Sequence, residues 1–397
     1  MSQPFSIAII GGGLAGLAAA AALERFGIAA EVFEQSAKLG EIGAGINVSP
    51  QAILALRAIG LTERIAAVAN IAPGVLTRDM TTGAVLDYRD QALAVTRFGL
   101  GVHTFHRADL LHALASGIDA KRIHLDHRLT AIEERPDGVG LAFANGASRD
   151  VTIAIGADGI HSLVRRKLYG ADHPTYTGQM VWRALLPGAD VPAEVMAPGG
   201  HVQWLGPGRH FFAYYLRGRD VVNVVTQEDT AAWVDEGWSI PGDPDEMRAS
   251  FPNPEPLLAT LLSRVTQCSK WGLFTRALTG NWGRGRILLI GDAAHAMLPN
   301  AGQGASQSFE DAYILARWLA AESGDPAAAL ENFRRIRIPR VHGVQLCSAA
   351  IVRAKHDYDQ SAHAAPAKVD ATEQMAWIWG YNVTADWNTP PVVPTFS

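Results

Sequence analysis

Six residues near the start, Gly11-Gly12-Gly13-Leu14-Ala15-Gly16, have the spacing G-x-G-x-x-G. That spacing suits a turn that receives a pyrophosphate. Gly11 permits the tight turn, Gly13 lets a phosphate approach the backbone, and Gly16 lets a helix pack closely on a strand. Leu14 and Ala15 open that helix, whose free N–H groups and positive dipole end would face the anion. Glu34 stands 18 residues after Gly16, with Gln35 beside it. Its carboxylate is placed to accept hydrogen bonds from ribose hydroxyls. An acid there disfavours a 2′-phosphate, so the dinucleotide is expected to be FAD or NAD rather than NADP. The alternative is a Gly-rich turn in an unrelated α/β fold.

The elements around these residues agree with the first reading. Residues 5–10 read as a buried strand, 14–25 as a helix stopped by Gly27, and 30–34 as a second strand. This βαβ unit implies a parallel sheet with a right-handed crossover. Further strand-to-helix patterns start near Asp150 and at Arg286, the latter followed by a helix from about Gly304. One domain assembled from distant segments is expected. Between Tyr176 and Thr275 the pattern changes to alternating, aromatic-rich segments with Gly/Pro turns, such as Gly206-Pro207-Gly208. That stretch predicts an antiparallel sheet. From Pro326 to about Trp379 the pattern is helical, and Asn388-Thr389-Pro390-Pro391 reads as a frayed tail.

Composition limits the alternatives. A chain of 397 residues suggests two or three domains, and 48% hydrophobic against 18% charged residues supplies a large core. A net charge of −5 gives no basic face for nucleic acid or an anionic membrane. Two cysteines, Cys268 and Cys347, exclude a disulfide framework, a cysteine zinc cluster and a paired redox thiol. Residues 5–23 carry no charge and approach the length of a membrane helix. Three glycines interrupt the run and no Lys or Arg precedes it, so a buried strand, turn and helix explain it better. With no export signal, a cytoplasmic location is the default.

Two later motifs decide between FAD and NAD. Gly156-Ala157-Asp158-Gly159 closes the strand near 151–155, and Ile290-Gly291-Asp292-Ala293-Ala294-His295 ends another. With the first motif, in this order and at these separations, the chain resembles the group A flavoprotein aromatic hydroxylases. The resemblance runs from about residue 5 to about 345 and weakly to the end. It implies an α/β fold: a Rossmann-like FAD-binding domain with a mixed sheet, an inserted antiparallel-sheet substrate domain and a C-terminal helical segment. The corresponding boundaries are 1–175 and 276–345 for the FAD-binding domain, 176–275 for the sheet domain and 346–397 for the helical region and tail. Residues 73–100 fit either of the first two.

The resemblance also assigns roles. Asp292 would bond the FAD ribityl chain. Asp158 would lie near the pyrophosphate and help NAD(P)H engage. Arg107, in His106-Arg107-Ala108-Asp109, would contact FAD phosphate and ribityl oxygens, a task suited to a charged donor. Each has an ordinary alternative: Asp158 and Asp292 as helix caps, Arg107 as a surface arginine. The loop Pro299-Asn300-Ala301-Gly302-Gln303-Gly304-Ala305 opens a helix. In the family that spot faces the flavin pyrimidine edge, where donors stabilise developing negative charge. Gly302 and Gly304 allow close backbone approach, Gln303 and Ala305 would bind the cofactor with them, and Pro299 is a candidate catalytic residue.

The implied reaction is hydroxylation of a monohydroxylated aromatic or pyridine carboxylate, using NADH or NADPH and O2, through a flavin hydroperoxide. The chain is expected to be a monomer or a homodimer. Candidates for the ring site come from the antiparallel sheet. At alternating positions His210, Phe212 and Tyr214 share one face, while Arg209 and Tyr215 point the other way unless a bulge intervenes. Trp182, Arg183 and Trp204 lie near, and Trp182, Phe212 and Tyr215 are candidate substrate contacts with Asn47. His210 and Tyr214 resemble catalytic or binding positions of the 6-hydroxynicotinate hydroxylase branch; the alternative for His210 is a structural histidine. Asn47 departs from the histidine that branch carries, which argues away from 6-hydroxynicotinate itself. Trp377-Ile378-Trp379-Gly380-Tyr381 resembles the ends of the salicylate, 3-hydroxybenzoate and hydroxynicotinate branches. Two other classes remain open: a flavin oxidase or dehydrogenase on the same scaffold, and a non-catalytic flavin-binding protein.

Overall fold

The computed structural model describes residues 5–40, 45–171, 174–230, 240–356 and 371–395. The βαβ start forms as the glycine spacing demands. Strand Ile7–Ile10 is buried throughout, Gly11 turns the chain at φ +110°, and helix Leu14–Arg25 follows. Ten consecutive residues of that helix, Leu14 to Leu23, are buried. It is therefore a core helix wedged between the sheet and helix Gly304–Ala321, and its Ala-rich, uncharged sequence is what close packing on all sides requires. The run that matched a membrane segment in length thus splits into strand, turn and core helix. No helix among the described residues is long and apolar enough to cross a membrane.

The first sheet has six strands in the order Gly283–Arg284, Ile287–Leu289, Ile153–Gly156, Ile7–Ile10, Glu31–Phe33, Ile123–His124. All pairs are parallel except the first, so the sheet is mixed as expected. The second sheet has eight strands: Ile240–Gly242, Cys268–Thr275, Thr175–Pro187, Val221–Asp229, Arg209–Leu216, Gly200–Gly206, Gly74–Asp79, Val85–Asp90. It is antiparallel apart from one parallel pair, Gly200–Gly206 with Gly74–Asp79. Residues 74–90 therefore go with this sheet and not with the dinucleotide-binding one.

One face of the second sheet carries its own core, with Trp182, Trp204, Phe211, Val222 and Val224 packed against Met247, Phe251, Leu258 and Leu261. The opposite face looks toward the dinucleotide-binding half. A short strand, Gly45–Val48, pairs with His103–His106 and docks on that face.

Three features depart from the sequence reading. Helix Pro326–His356 runs unbroken through the expected boundary at 345/346, and residues 357–370 of the expected helical region lie outside the described residues. The tail is not frayed: Trp387 packs against Trp318 at 4.8 Å, and the Trp377 indole N–H donates to the Val392 carbonyl at 2.9 Å. A three-stranded sheet, Leu129–Glu134, Val139–Phe143 and Ser148–Val151, was not anticipated.

Candidate active site

At the dinucleotide end, the Gly11 N–H donates to the Phe33 carbonyl at 2.9 Å, joining the turn to the second strand. A Cβ at Gly11 would lie 2.4 Å from the Ala157 carbonyl oxygen, and one at Gly16 would lie 1.9 Å from the Gly11 oxygen. No other residue type fits either place without moving backbone. Gly13 is the N-cap of helix Leu14–Arg25, which has no capping side chain and no acid in its first turn. The free N–H groups around Leu14, Ala15 and Gly16 are thus left for an anion. Glu34 accepts the Gly12 N–H at 2.7 Å and the Ser36 N–H at 2.8 Å. These bonds fix its carboxylate beside the glycine turn and leave further lone pairs for hydroxyl donors. Gln35 is exposed next to it.

Asp158 caps a helix at the edge of the Gly11 turn. Its carboxylate accepts the Ser162 hydroxyl at 2.5 Å and the Leu163 and Val164 N–H groups at 2.7 and 3.1 Å, all at the start of helix Leu163–Tyr169. The segment meets the Gly11 turn through its backbone, not through this carboxylate.

Asp292 heads the short helix Asp292–His295 and lies close to Arg107, the first residue of helix Arg107–Ala115. Burial pulls the Arg107 guanidinium down from its ordinary value, and the Asp292 carboxylate opposes that shift. Arg107 is therefore not a free surface arginine.

Behind Asp292 lies a buried network that sequence reasoning missed. Asp311 accepts the Gly291 N–H at 3.0 Å, faces His295 Nε2 at 2.7 Å and accepts Arg337 Nε at 2.7 Å. Arg337 also donates to Glu310 at 2.6 Å, and Arg340 pairs with Glu310 and with the carbonyls of Trp377 and Ile378. Burial drives the Asp311 carboxyl up, but His295, Arg337 and its hydrogen bonds outweigh burial and hold it at about 2. The signal was in the sequence: two adjacent acids, Glu310 and Asp311, in a helix whose remaining residues include one charged group, Arg317.

The loop at 299–305 turns through Pro299–Ala301, where the exposed Pro299 offers its carbonyl to the Gly302 N–H at 2.8 Å. Gly302 is left-handed at φ +63°. Helix Gly304–Ala321 starts with no capping side chain and no acid in its first turn, and Gly304 and Ala305 stand half-buried at that end. The Gln303 side chain is turned away. It donates to the Ser49 hydroxyl at 2.7 Å and accepts from Gln51 at 2.9 Å in a fully buried cluster. Only its backbone is left for a ligand.

Register decides which sheet residues share the ring site. His210 pairs with Gln227, Phe212 with Val225, and Tyr214 with Asn223 and His201. These side chains stand on the face toward Gly45–Val48. Phe212, Tyr214 and His201 form an aromatic cluster with ring centroids 5.2–5.9 Å apart. The Tyr214 hydroxyl lies so close to Gly45 that a Cβ there would meet it at 2.4 Å. The Gly45 N–H donates to Asn223 Oδ1 at 2.9 Å. Two residues on, Asn47 Oδ1 is buried with no hydrogen-bond partner, and its Cβ is 3.7 Å from where a Gly302 side chain would begin. Arg183 stacks over Trp271 at 4.2 Å, and Trp271 and Val181 meet Leu298 from the loop.

Trp182 and Tyr215 are not on this face. Trp182 sits in the far core with its indole N–H on Glu228 at 2.8 Å, and Trp204 likewise bonds Glu255 at 2.6 Å. Tyr215 packs on the same core with Arg219 over its ring. Strand alternation without a bulge turns both away. His201, absent from the sequence reading, takes their place. Burial lowers its imidazole to about 4, so it is neutral near pH 7. Burial raises the Tyr214 phenol well above its ordinary value despite Arg183, so it stays protonated.

Comparison with known proteins settles the cofactor. The profile of the FAD binding domain family matches residues 5–345. The chain belongs to that family. FAD is its cofactor, and the chain supplies what FAD needs: two glycine cradles that a Cβ would fill, an uncapped helix start and a half-buried arginine beside Asp292. Among relatives, 3-amino-4-hydroxybenzoate 2-monooxygenase of Streptomyces platensis is 36% identical over 380 residues, covering 94% of this chain and 96% of that one. The 6-hydroxynicotinate 3-monooxygenase of Bordetella bronchiseptica is 33% identical over 394 residues, covering 96% of each. A salicylate hydroxylase solved as a substrate complex is 27% identical with a TM-score of 0.82, covering 99% of this chain and all of that one.

Proposed function

We propose that this protein is a single-component FAD monooxygenase that hydroxylates a hydroxylated aromatic or pyridine carboxylate at the expense of NAD(P)H and O2. The observation that carries this reading is the polar-aromatic face of His201, His210, Phe212 and Tyr214, set against Gly45–Val48 and the Leu298–Gly302 loop. When bound, FAD supplies electron transfer from the nicotinamide and activation of oxygen. The chain's task is to hold and activate the ring. Phe212 offers a stacking surface. Tyr214, kept protonated by burial, donates a hydrogen bond to the ring oxygen and so favours its anionic, more nucleophilic form. His210, half-buried on the same strand, takes the proton onward. Asn47 and the Gly302 loop close the site from the dinucleotide-binding half, and Pro299 sets the shape of that loop. The names of the relatives, which act on aminohydroxybenzoate and hydroxynicotinate, support the substrate class.

The test mixes the yellow holoprotein with NADH or NADPH and a panel of hydroxybenzoates, aminohydroxybenzoates and hydroxypyridine carboxylates. Substrate-stimulated oxygen uptake with a hydroxylated product is expected. Anaerobic bleaching of the flavin by an aromatic acid without NAD(P)H would instead establish an oxidase or dehydrogenase.

A further inference from the structure

Near the middle of the ring-site face of the large sheet one cation stands among neutral side chains, while Asp229, at the end of strand Val221–Asp229, accepts from Gln179 at 3.0 Å. Along the middle of the sheet's four central strands the side chains on that face are Val181, Arg183 and Leu185; Asn223, Val225 and Gln227; His210, Phe212 and Tyr214; and His201, Gln203 and Leu205. Arg183 is the one formally charged group of that set. Its Nε is buried with no hydrogen-bond partner, and among the described residues no carboxylate pairs with it. It faces the Trp271 ring, the Tyr214 phenol and a second cation, Arg107. Asn223, diagonal to Arg183 on the neighbouring strand, spends its oxygen on the Gly45 N–H, so its Nδ2 is the free group, buried and unpartnered. Guanidinium, amide N–H and phenol O–H thus converge with donors, and the acceptor they lack is an anion. Burial and Arg107 both act against the Arg183 charge and lower it to about 10, with Tyr214 opposing. A half-buried cation whose Nε is fully enclosed without a counter-ion is costly unless a ligand supplies one.

We infer that Arg183, assisted by Asn223, receives the carboxylate of the aromatic substrate and makes that carboxylate the chief determinant of specificity. This rests on the hydroxylase reading above. A guanidinium suits the task because its donor fork matches a carboxylate. The ring would then extend from Arg183 past Tyr214 and Phe212, with its hydroxyl toward the Tyr214–His210 side.

Binding to the FAD-loaded protein, read from perturbation of the flavin spectrum, tests this without turnover. The probes are 3-hydroxybenzoate, 4-hydroxybenzoate and 6-hydroxynicotinate, each paired with its own carboxamide. The wild type is expected to prefer at least one acid over its amide by roughly 30-fold or more. In R183Q that preference should collapse to within threefold, with the amide's Kd unchanged and FAD retained. R183K should restore part of it. If the wild type binds no probe acid more tightly than its amide, or if R183Q weakens acid and amide equally, the inference is overturned. R183Q that releases FAD while wild-type selectivity is absent would place Arg183 on the cofactor instead and also overturn it. Selective acid binding with no oxygen uptake would sink the hydroxylase reading alone.

Discussion

Replacing Gly16 by alanine sets two effects of opposite sign against each other. Gly16 lies inside helix Leu14–Arg25, where alanine is worth about 0.5–1 kcal/mol of stability over glycine on propensity alone. The new Cβ would stand 1.9 Å from the Gly11 carbonyl oxygen and 3.2 Å from Ile9 Cγ2. An ordinary C···O contact is about 3.3 Å, so helix and turn must separate by roughly 1.4 Å. Nothing on either side yields cheaply. The clashing atom is backbone, and Gly11 is itself held in place, its N–H on the Phe33 carbonyl at 2.9 Å. Overpacking of this kind costs about 1–3 kcal/mol, so the clash exceeds the propensity gain. Because the displaced backbone is the phosphate-receiving turn, most of the cost should appear in cofactor binding. Each 1.4 kcal/mol is about tenfold in affinity, so G16A should bind FAD at least tenfold more weakly. Flavin absorbance relative to protein after purification, and FAD release on dilution, measure this. Gly324→Ala is the control, since a Cβ there meets nothing. If G16A kept wild-type flavin content and melted higher than wild type, the close-packing argument would be refuted.

Other outcomes follow from the same geometry. Asp311→Asn removes the charge facing His295 and Arg337 and should cost about 3–5 kcal/mol in denaturant unfolding, as breaking a buried pair does; an unchanged midpoint would show the network to be dispensable. Because Asp311 is held at about 2, below its unfolded value, its contribution is complete above about pH 4. It should fade as pH falls from there toward 2, and an acid titration of the wild type that loses no more stability in this window than D311N would contradict that. His210→Ala should slow hydroxylation by about 100-fold or more while keeping FAD, the usual scale for a lost proton-transfer group; unchanged turnover removes His210 from the site. Tyr214→Phe should lower kcat/KM by roughly tenfold or more without loss of flavin, on the scale of one hydrogen bond to a charged oxygen.

The dinucleotide half was legible because its requirements are local. Gly11, Gly16 and Glu34 act through spacings of a few residues along strand, turn and helix, and the sequence displays those spacings directly. Asp158 shows what a local motif leaves out: its neighbours Ser162, Leu163 and Val164 also engage its carboxylate as a cap. In the sheet half, alternation placed His210, Phe212 and Tyr214 together correctly. His201, Asn223 and Arg183 join them only through cross-strand register, which depends on how four strands align over long separations. Trp182 went wrong because aromatic character does not say which face of a strand a side chain takes, whereas Tyr215 was named as a substrate contact although alternation had already turned it away. The tail reads as loose from its prolines, yet Trp387 and Val392 anchor it on Trp318 and Trp377, contacts no local pattern announces.

The electrostatics of the ring face restrict how a proton can leave the substrate. His201 stays neutral above about pH 4, and the Tyr214 phenol is held protonated well past its ordinary range, so neither changes charge between pH 5 and 9. What they contribute across that window is a fixed set of dipoles, joined by the positive charges of Arg107 and Arg183. Such a set stabilises a phenolate and a carboxylate alike without being consumed, and it needs no rearrangement when charge develops. It cannot itself remove a proton. In the proposed reaction the departing proton leaves through a group that reaches solvent, and His210, half-buried where the strand Arg209–Leu216 begins, is the group assigned to it. In the proposed reaction the strand would divide the labour, with the buried Tyr214 and the half-buried Phe212 on the ring and the half-buried His210 on the proton.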